Sequence, residues 1–544
     1  MSTSPRDGIV WDDLGWALEP KWASEPSIEA IQATCRRVLQ LDASDDCSVS
    51  FMAEGAFNKV YLVEDNCERR WAFRVSLPVD PHLKVAGEAA TLCWLERHSD
   101  IPAPKVIDFD ASRDNEIGYE WILMDLMPGT SAYRRWRKMT MEAKKTLVEK
   151  IAEYQAQLFN SEFRTIGTLK DESLDADSKP DPGKLVNLMF FMGKRYDLDV
   201  PRGPYRSSHD WLKSFISVII KDQKRVINEL SNSDPGPNPP PDNSPPPDDS
   251  SDSDIFLYSL LDDSSRSDDS SSSDDSLSSD DSVSSDDSSS SDDSSSSDDS
   301  LDLDLPSESS SDQSSDSDSD SDSDSSSDSL DSSDSDSDSD SDSKEKAVAE
   351  YTIEVAELLA DLLPDIFPKV LNPPERTVLV HDDLSLDNIL VDDDGAITAI
   401  IDWECVSAVP LWFATRMPKF LLGPDREEPP DRDGYMDDDE EMEAAKRLRE
   451  GNDYLDSEGK NPLYWYHLME YERTELRKLY TDRLSELCPA WGREFADSGL
   501  KRDFYEAIFR CADRWRLIRI DDWVGEIWEG EFPTMAEMMK TGRT

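Results

Sequence analysis

The sequence predicts an α+β chain in two lobes, a small antiparallel β N-lobe with one helix and a larger, mainly α-helical C-lobe, interrupted by a long disordered acidic insertion. Three observations predict it. Between Ser48 and Met124, short alternating or β-branched runs recur between polar turns. From Pro128-Gly129 onward, apolar residues recur at helical spacing. Between Ser231 and Lys344, Ser and Asp alternate almost without interruption and split two helical stretches.

Residues 1–46 read as an N-terminal helical extension. Ser27 is placed to cap an amphipathic helix to Leu41, with Ile28, Ile31, Val38 and Leu39 as its apolar positions. The N-lobe, 47–128, begins with three strands at Val49 to Met52, Val60 to Val63 and Trp71 to Val75. A helix from Leu83 to Arg97 follows, with Val85, Ala89, Leu92 and Leu95 at helical spacing, and it ends before Pro102 and Pro104. Strands Lys105 to Phe109 and Trp121 to Met124 complete the sheet. The first part of the C-lobe, 129–231, holds helices Met141 to Leu158 and His209 to Leu230. The insertion occupies 232–343. The second part, 344–530, opens with a helix at Lys344 to Leu363 and closes with helices between Asn461 and Trp528. A tail, 531–544, follows, and Pro424 to Glu441 reads as an acidic surface loop.

The formal charge of the 544-residue chain is −62, and about 34 of those net negative charges lie between Ser231 and Lys344. Such a stretch has too little apolar surface to offset chain entropy, so disorder is expected there. Roughly 430 residues remain, enough for one bilobal unit. An acidic balance argues against sequence-independent binding to nucleic acid or to anionic membranes. The seven cysteines are odd in number, scattered and without metal-finger or CxxC spacing, which points to reduced thiols. No secretion-type leader and no run of about 18 to 20 apolar residues is seen, so a cytoplasmic location is expected, with the nucleus as its alternative.

The most informative segment is LVHDDLSLDNILVDDDGAITAIIDWE, from Leu379 to Glu404. It sets His381, Asp383 and Asn388 in a His-x-Asp-Leu-x-x-x-Asn arrangement, then Asp402 after a hairpin. Kinase-type phosphotransferases present their catalytic carboxylate and two magnesium ligands in this order. Val378 to Val380 leads in as an apolar strand, and Ile389 to Val391 with Ile397 to Ile401 form the hairpin around Asp392-Asp393-Asp394-Gly395. Asp383 is the candidate to orient an acceptor hydroxyl and take its proton. Asn388 and Asp402 offer hard oxygen ligands to magnesium. His381 reads as a structural residue bonding the loop backbone.

The N-lobe sheet is where a nucleotide would lie. Gly55, in FMAEGAFNKVYLV, sits at a strand turn where either a phosphate-covering backbone or a plain hairpin fits. Arg74 on the third strand and Glu88 on the following helix occupy the places of an ion pair gripping the α- and β-phosphates, or of an ordinary salt bridge. Asp125-Leu126-Met127 is placed as the lobe hinge, whose backbone can meet adenine.

The series FNKVYLV, FRVSLPVDP, GEAATLCWLERHSDIPAPKV, EWILMDLMPG, LVHDDLSLDNILVD and IIDWE resembles the aminoglycoside phosphotransferase-like family in its fungal form. The resemblance covers about Ser48 to Leu230 and Lys344 to the last helices. It implies a bilobal protein-kinase-like fold, Mg2+ with ATP or GTP as co-substrate, and a hydroxyl of a small molecule as phosphate acceptor. Three departures stand out. The family's His-Gly-Asp is His381-Asp382-Asp383 here, Arg74 replaces the usual Lys, and Asp402-Trp403-Glu404 replaces Asp-Phe-Gly. A protein kinase fits less well, because Ser385 stands where such enzymes carry a Lys and no Ala-Pro-Glu element follows Asp402.

The Ser/Asp tract offers many sites to acidophilic, casein-kinase-type enzymes, each phosphate adding roughly −1.5 to −2 charges. It reads as a solubilising spacer, or as a polyanion for cationic partners. An apolar island, Ile255-Phe256-Leu257-Tyr258 with Leu260-Leu261, has the makings of a short docking motif. Acidic residues at Asp425 to Glu441 would suit a cationic acceptor. The alternative to an active enzyme is a nucleotide-binding scaffold whose acidic tract binds cationic partners, and Asp382 and Arg74 favour it.

Overall fold

The computed structural model describes residues 5–13, 18–42, 45–171, 180–232, 337–369, 372–437, 443, 446, 458–511 and 513–540. The Ser/Asp tract up to residue 336, with the apolar island in it, and 438–441 of the acidic loop lie outside the described residues.

The N-lobe is a five-stranded antiparallel sheet. Its strands are β3 (Cys47–Glu54), β4 (Asn58–Asp65), β5 (Arg70–Ser76), β6 (Val106–Asp110) and β7 (Glu120–Asp125), in the order β3-β4-β5-β7-β6. Strand β5 is central and buried along its length after Arg70, as its run Trp71, Ala72, Phe73 requires. Helix α2 (Leu83–His98) packs on this sheet and reaches the C-lobe strand β10 (Gly167–Lys170). Gly87 makes that approach possible, because a Cβ there would strike Thr168.

Residues 1–46 correct the expectation of a purely helical extension. Ahead of the helix lies an antiparallel hairpin, β1 (Ile9–Asp13) and β2 (Leu18–Trp22). The expected helix, α1 (Ile28–Val38), follows, capped by Ser27, whose Oγ accepts from Ala30 N at 3.2 Å. Ile31 and Cys35 on its inner face join Cys47, Val63 and Phe73 of the sheet in one core.

The C-lobe is mainly helical, with more sheet than the periodicity indicates. Strand β8 (Thr130–Ser131) follows the hinge, then α3 (Ala132–Trp136) and α4 (Met141–Phe159). Strands β9 (Phe163–Arg164), β10, β11 (Asp181–Pro182), β12 (Arg376–Val380) and β15 (Ser407–Pro410) make a sheet in the order β11-β10-β15-β12-β9. Strands this short carry almost no pattern of their own.

Helix α5 (Leu188–Phe191) leads to α6 (Ser208–Asn232), and α7 (Ser337–Ile366) starts at Ser337, earlier than the expected Lys344. Trp211, Phe215 and Ile219 of α6 share a core with Val355, Leu359 and Leu363 of α7. Helix α8 (Pro462–Leu487) packs along α4, and α9 (Pro489–Asp497), α10 (Gly499–Arg510) and α11 (Leu517–Glu529) follow. The expected tail contains a short helix, α12 (Met535–Lys540), whose Met535 is buried in that same core. No described helix is long and apolar enough to cross a membrane.

Candidate active site

Strand β12 delivers the chain to the candidate catalytic loop. Thr377, Val378 and Leu379 are fully buried, and β15 pairs with them in register, Val378 opposite Val409 and Leu379 opposite Ala408. The hairpin β13 (Ile389–Val391) and β14 (Ile397–Ile400) forms as its alternation requires. A third strand joins it: β8 pairs Ser131 with Leu390 and Thr130 with Val391. Gly129 sits at φ +115, and a Cβ there would fall on Thr398 and the Val391 carbonyl. The glycine therefore lets the segment after β7 lie directly against the β13–β14 hairpin.

Within the loop, Asn388 Nδ2 donates to the Asp383 carbonyl at 2.8 Å and to Asp383 Oδ2 at 3.3 Å. The structure brings Asp383 and Asn388 together as the spacing indicates. His381 Nε2 donates to the Ile401 carbonyl at 2.9 Å, tying this loop to the segment that carries Asp402. Trp403 packs edge-on to His381, with centroids 4.7 Å apart, and donates to the Ile400 carbonyl. The middle residue of Asp-Trp-Glu is thus a buried anchor, and Asp402 projects from a backbone at φ +64.

Arg74 and Glu88 form a buried ion pair, Nη1 to Oε1 at 2.7 Å. Arg74 Nη2 reaches Asp402 Oδ1 at 2.7 Å and Glu404 Oε2 at 2.9 Å. Glu404 also holds Lys84 Nζ at 2.5 Å and accepts from Asn58 Nδ2 at 2.8 Å. Burial opposes the ionised Glu404 carboxyl, yet Lys84 and Arg74 outweigh it and pull the group down to about 2. This network joins β4, β5, α2 and the metal-motif segment.

Gly55 lies in the β3–β4 turn, its N–H donating to the Asn58 carbonyl at 2.9 Å. A Cβ at Gly55 would meet nothing within 4 Å, so neither packing nor dihedral angle explains the glycine. Asp125 ends β7 and donates from its backbone to Lys105 O at 3.0 Å, and Met127 lies two residues beyond, half-buried, in the hinge.

Sequence reasoning missed several residues. Lys419 Nζ lies 3.0 Å from Asp383 Oδ1, and Arg416 Nη1 lies 2.6 Å from Asp382 Oδ1. Partial burial pushes the Asp383 carboxyl above the usual carboxylate range, and Lys419 opposes that push. Lys84 had one available signal, a Lys within a helix turn that is otherwise apolar and buried. Lys419 and Arg416 had none, since only the fold brings them to the loop.

Among the described residues, no group of three or more His, Cys, Asp or Glu could hold a metal ion. The donor set of Asn388 and Asp402 nevertheless suits magnesium. Asn388 spends its Nδ2 on Asp383, which leaves Oδ1 as a ligand, and Asp402 keeps Oδ2 beside the oxygen given to Arg74. Magnesium is commonly held by one or two protein oxygens together with substrate phosphates.

The two lobes and this loop have the layout of a protein-kinase-like fold. The model of the phosphotransferase enzyme family matches residues 48–180 and 323–413. Among curated relatives, a subtelomeric hrmA-associated cluster protein of Aspergillus fumigatus is 29% identical over 170 residues, covering 29% of this chain and 33% of the relative. Altered inheritance of mitochondria protein 9 of Candida tropicalis is 26% identical over 132 residues, 22% of this chain and 21% of that one. The chain therefore matches only a third or less of these relatives' lengths. A putative aminoglycoside phosphotransferase from Ralstonia eutropha superposes with a TM-score of 0.37 at 11% identity, covering 94% of this chain and 97% of that chain, too loose a likeness to bear on activity. The cytoplasmic expectation is corrected: several matched yeast relatives are named as mitochondrial proteins, at 22–26% identity.

Proposed function

We propose that the chain transfers the γ-phosphate of ATP or GTP to a hydroxyl of a small molecule. The observation that carries the reading is the Asp383 carboxylate, held by Asn388 on one oxygen and Lys419 on the other, at the mouth of a loop tied to Asp402 through His381. Asp383 orients the acceptor hydroxyl and takes its proton as the new O–P bond forms and the bond to the departing nucleoside diphosphate breaks. Gly55 lies over the phosphates. Glu88 holds Arg74 toward them, and the Asp125 to Met127 backbone receives the base. Asn388 and Asp402 would hold Mg2+, which would supply charge neutralisation at the phosphate oxygens.

The acceptor's charge is left open by the C-lobe. Asp425 pairs with Arg477 at 2.6 Å and Asp437 with Lys460 at 2.7 Å, so these carboxylates already have their cations. Those two carboxylates therefore lend no support to a cationic acceptor. A thermal-shift screen of hydroxylated metabolites with Mg·ATP, followed by assay of phosphate transfer to each hit, tests the reading. Transfer abolished by Asp383→Asn supports it, and no transfer above that variant from any hit counts against it. The mitochondrion is the compartment that the relatives' names put first, and cell fractionation checks it.

A second reading, a nucleotide-binding scaffold, draws on one observation. Arg74 grips Asp402, a proposed metal ligand, at 2.7 Å. Nucleotide binding that is indifferent to magnesium would favour the scaffold.

A further inference from the structure

Lys419 reaches the catalytic loop from 36 residues beyond Asp383. Its position is built. The turn Lys419–Leu421 is fixed to the loop by Phe420 N donating to the Leu384 carbonyl at 3.1 Å. Phe420 and Leu421 are buried beneath it, and Arg477 Nη1 donates to the Leu421 carbonyl at 2.8 Å. A lysine side chain ordinarily pays heavily in rotamer freedom to hold one place. Here the backbone beneath it is anchored on three sides, and Nζ arrives 3.0 Å from Asp383 Oδ1.

Stability does not account for the arrangement. The two side chains are 19% and 39% exposed, and a pair that open to solvent contributes little to stability. Each carboxylate at this place has its own cation: Arg416 for Asp382, Arg74 for Asp402 and Lys419 for Asp383. Arg74 is buried and divided among three carboxylates, and Arg416 is stacked on Phe413 and Tyr505. Lys419 differs. Among the described residues its one hydrogen-bond partner is Asp383, with Asp387 of the same loop also feeling its charge, so two of its three N–H donors remain for an incoming group. Ser385, within the loop itself, offers a hydroxyl and no charge.

We propose that Lys419 is a catalytic residue: it holds Asp383 toward the acceptor hydroxyl with one N–H and donates another to an oxygen of the phosphoryl group in flight. This rests on the phosphotransferase reading above. A cation fixed where charge develops acts mainly on the transition state, so its removal lowers kcat more than it raises KM.

The test uses the purified full chain, with ATP hydrolysis in magnesium as the readout and water as acceptor. Affinity for Mg·ADP is measured with and without aluminium fluoride, which mimics the phosphoryl group in flight. Lys419→Met is expected to lower kcat roughly tenfold or more with KM for Mg·ATP within about twofold. The same variant should weaken the aluminium fluoride complex by a similar factor and leave Mg·ADP affinity and the melting temperature unchanged. Lys419→Arg should restore part of the rate. A Lys419→Met enzyme with wild-type kcat, or one whose loss tracks Mg·ADP affinity or melting temperature, overturns the role. Wild-type turnover no higher than that of Asp383→Asn overturns the phosphotransferase reading and the Lys419 role with it. Turnover above Asp383→Asn with Lys419→Met unaffected overturns the Lys419 role alone.

Discussion

Arg416 donates to Asp382 at 2.6 Å and so neutralises the extra carboxylate that stands next to Asp383. The His-Asp-Asp sequence is therefore less of an obstacle to catalysis than it looks when the residues are read in line. Removing the cation alone should expose the cost. Arg416→Ala is expected to lower ATP turnover roughly tenfold, on the order of 1.4 kcal/mol. Asp382→Gly should stay close to wild type, and the double variant should recover most of the loss. Because Arg416 also stacks on Phe413 and Tyr505, the double-mutant cycle is the measurement that isolates the Asp382 term.

Arg74 is a structural charge as well as a proposed phosphate ligand. Its removal leaves Glu88 and Glu404 buried without their shared cation, a situation that costs roughly 3–5 kcal/mol. Arg74→Met should therefore shift the denaturant midpoint sharply. Arg74→Lys should fall between, since one ammonium cannot serve carboxylates on two sides as a guanidinium fork does. Equal midpoints for wild type and Arg74→Met would mean that the network carries no net stability.

Buried carboxyls give the N-lobe a pH dependence: Glu120 and Asp80, and beside them Glu88, which burial pushes up to about 7 although Arg74 opposes it. Burial pushes Glu120 up to about 7 against the His82 N–H, Lys84 and Arg113, and pushes Asp80 up to about 6 against Arg202, Arg6 and Lys184. Folded pKa values above the unfolded ones favour the protonated form. Their contribution to stability is full below about pH 4 and is lost as pH rises through 6 to 7. The melting temperature should be higher at pH 5.5 than at pH 8, and Glu120→Gln should flatten that slope. An identical slope in the variant would rule out Glu120 as its source.

The insertion should be dispensable for folding and turnover. Trp211 and Phe215 on one side of it and Leu359 and Leu363 on the other lie in one core, so the helices it separates serve the same hydrophobic cluster. Replacing residues 234–336 with a short Gly/Ser linker should leave ATP turnover within about twofold, since loop length costs little. A large loss of turnover or melting temperature would assign the tract a part in the fold.

Much of the fold was legible because the long elements carry strong local patterns. Leu83 to Arg97 announced a helix through Val85, Ala89 and Leu92, and the structure extends it by one residue, to His98. The catalytic hairpin was legible from Ile389 to Val391 and Ile397 to Ile401 around an Asp-Gly turn. What stayed hidden depends on tertiary contacts. Strands β9, β10 and β11 are two to four residues long and exist by pairing with β12 and β15 or with each other. The β1–β2 hairpin preceded the one periodic segment in its region and was folded into a helical expectation. In the site, Arg74, Glu88, Asp383, Asn388 and Asp402 could be named from order and spacing. Lys419, Arg416 and the Lys84–Glu404 contact could not, because no local pattern links a cation to a carboxylate tens or hundreds of residues away.

The central claim is that Asp383 carries phosphoryl transfer. It is tested most directly by measuring Mg·ATP turnover and nucleotide binding for wild type and Asp383→Asn side by side. The account predicts that the variant binds nucleotide as wild type does and turns it over about 100-fold more slowly or less. Equal turnover by the two proteins would contradict it.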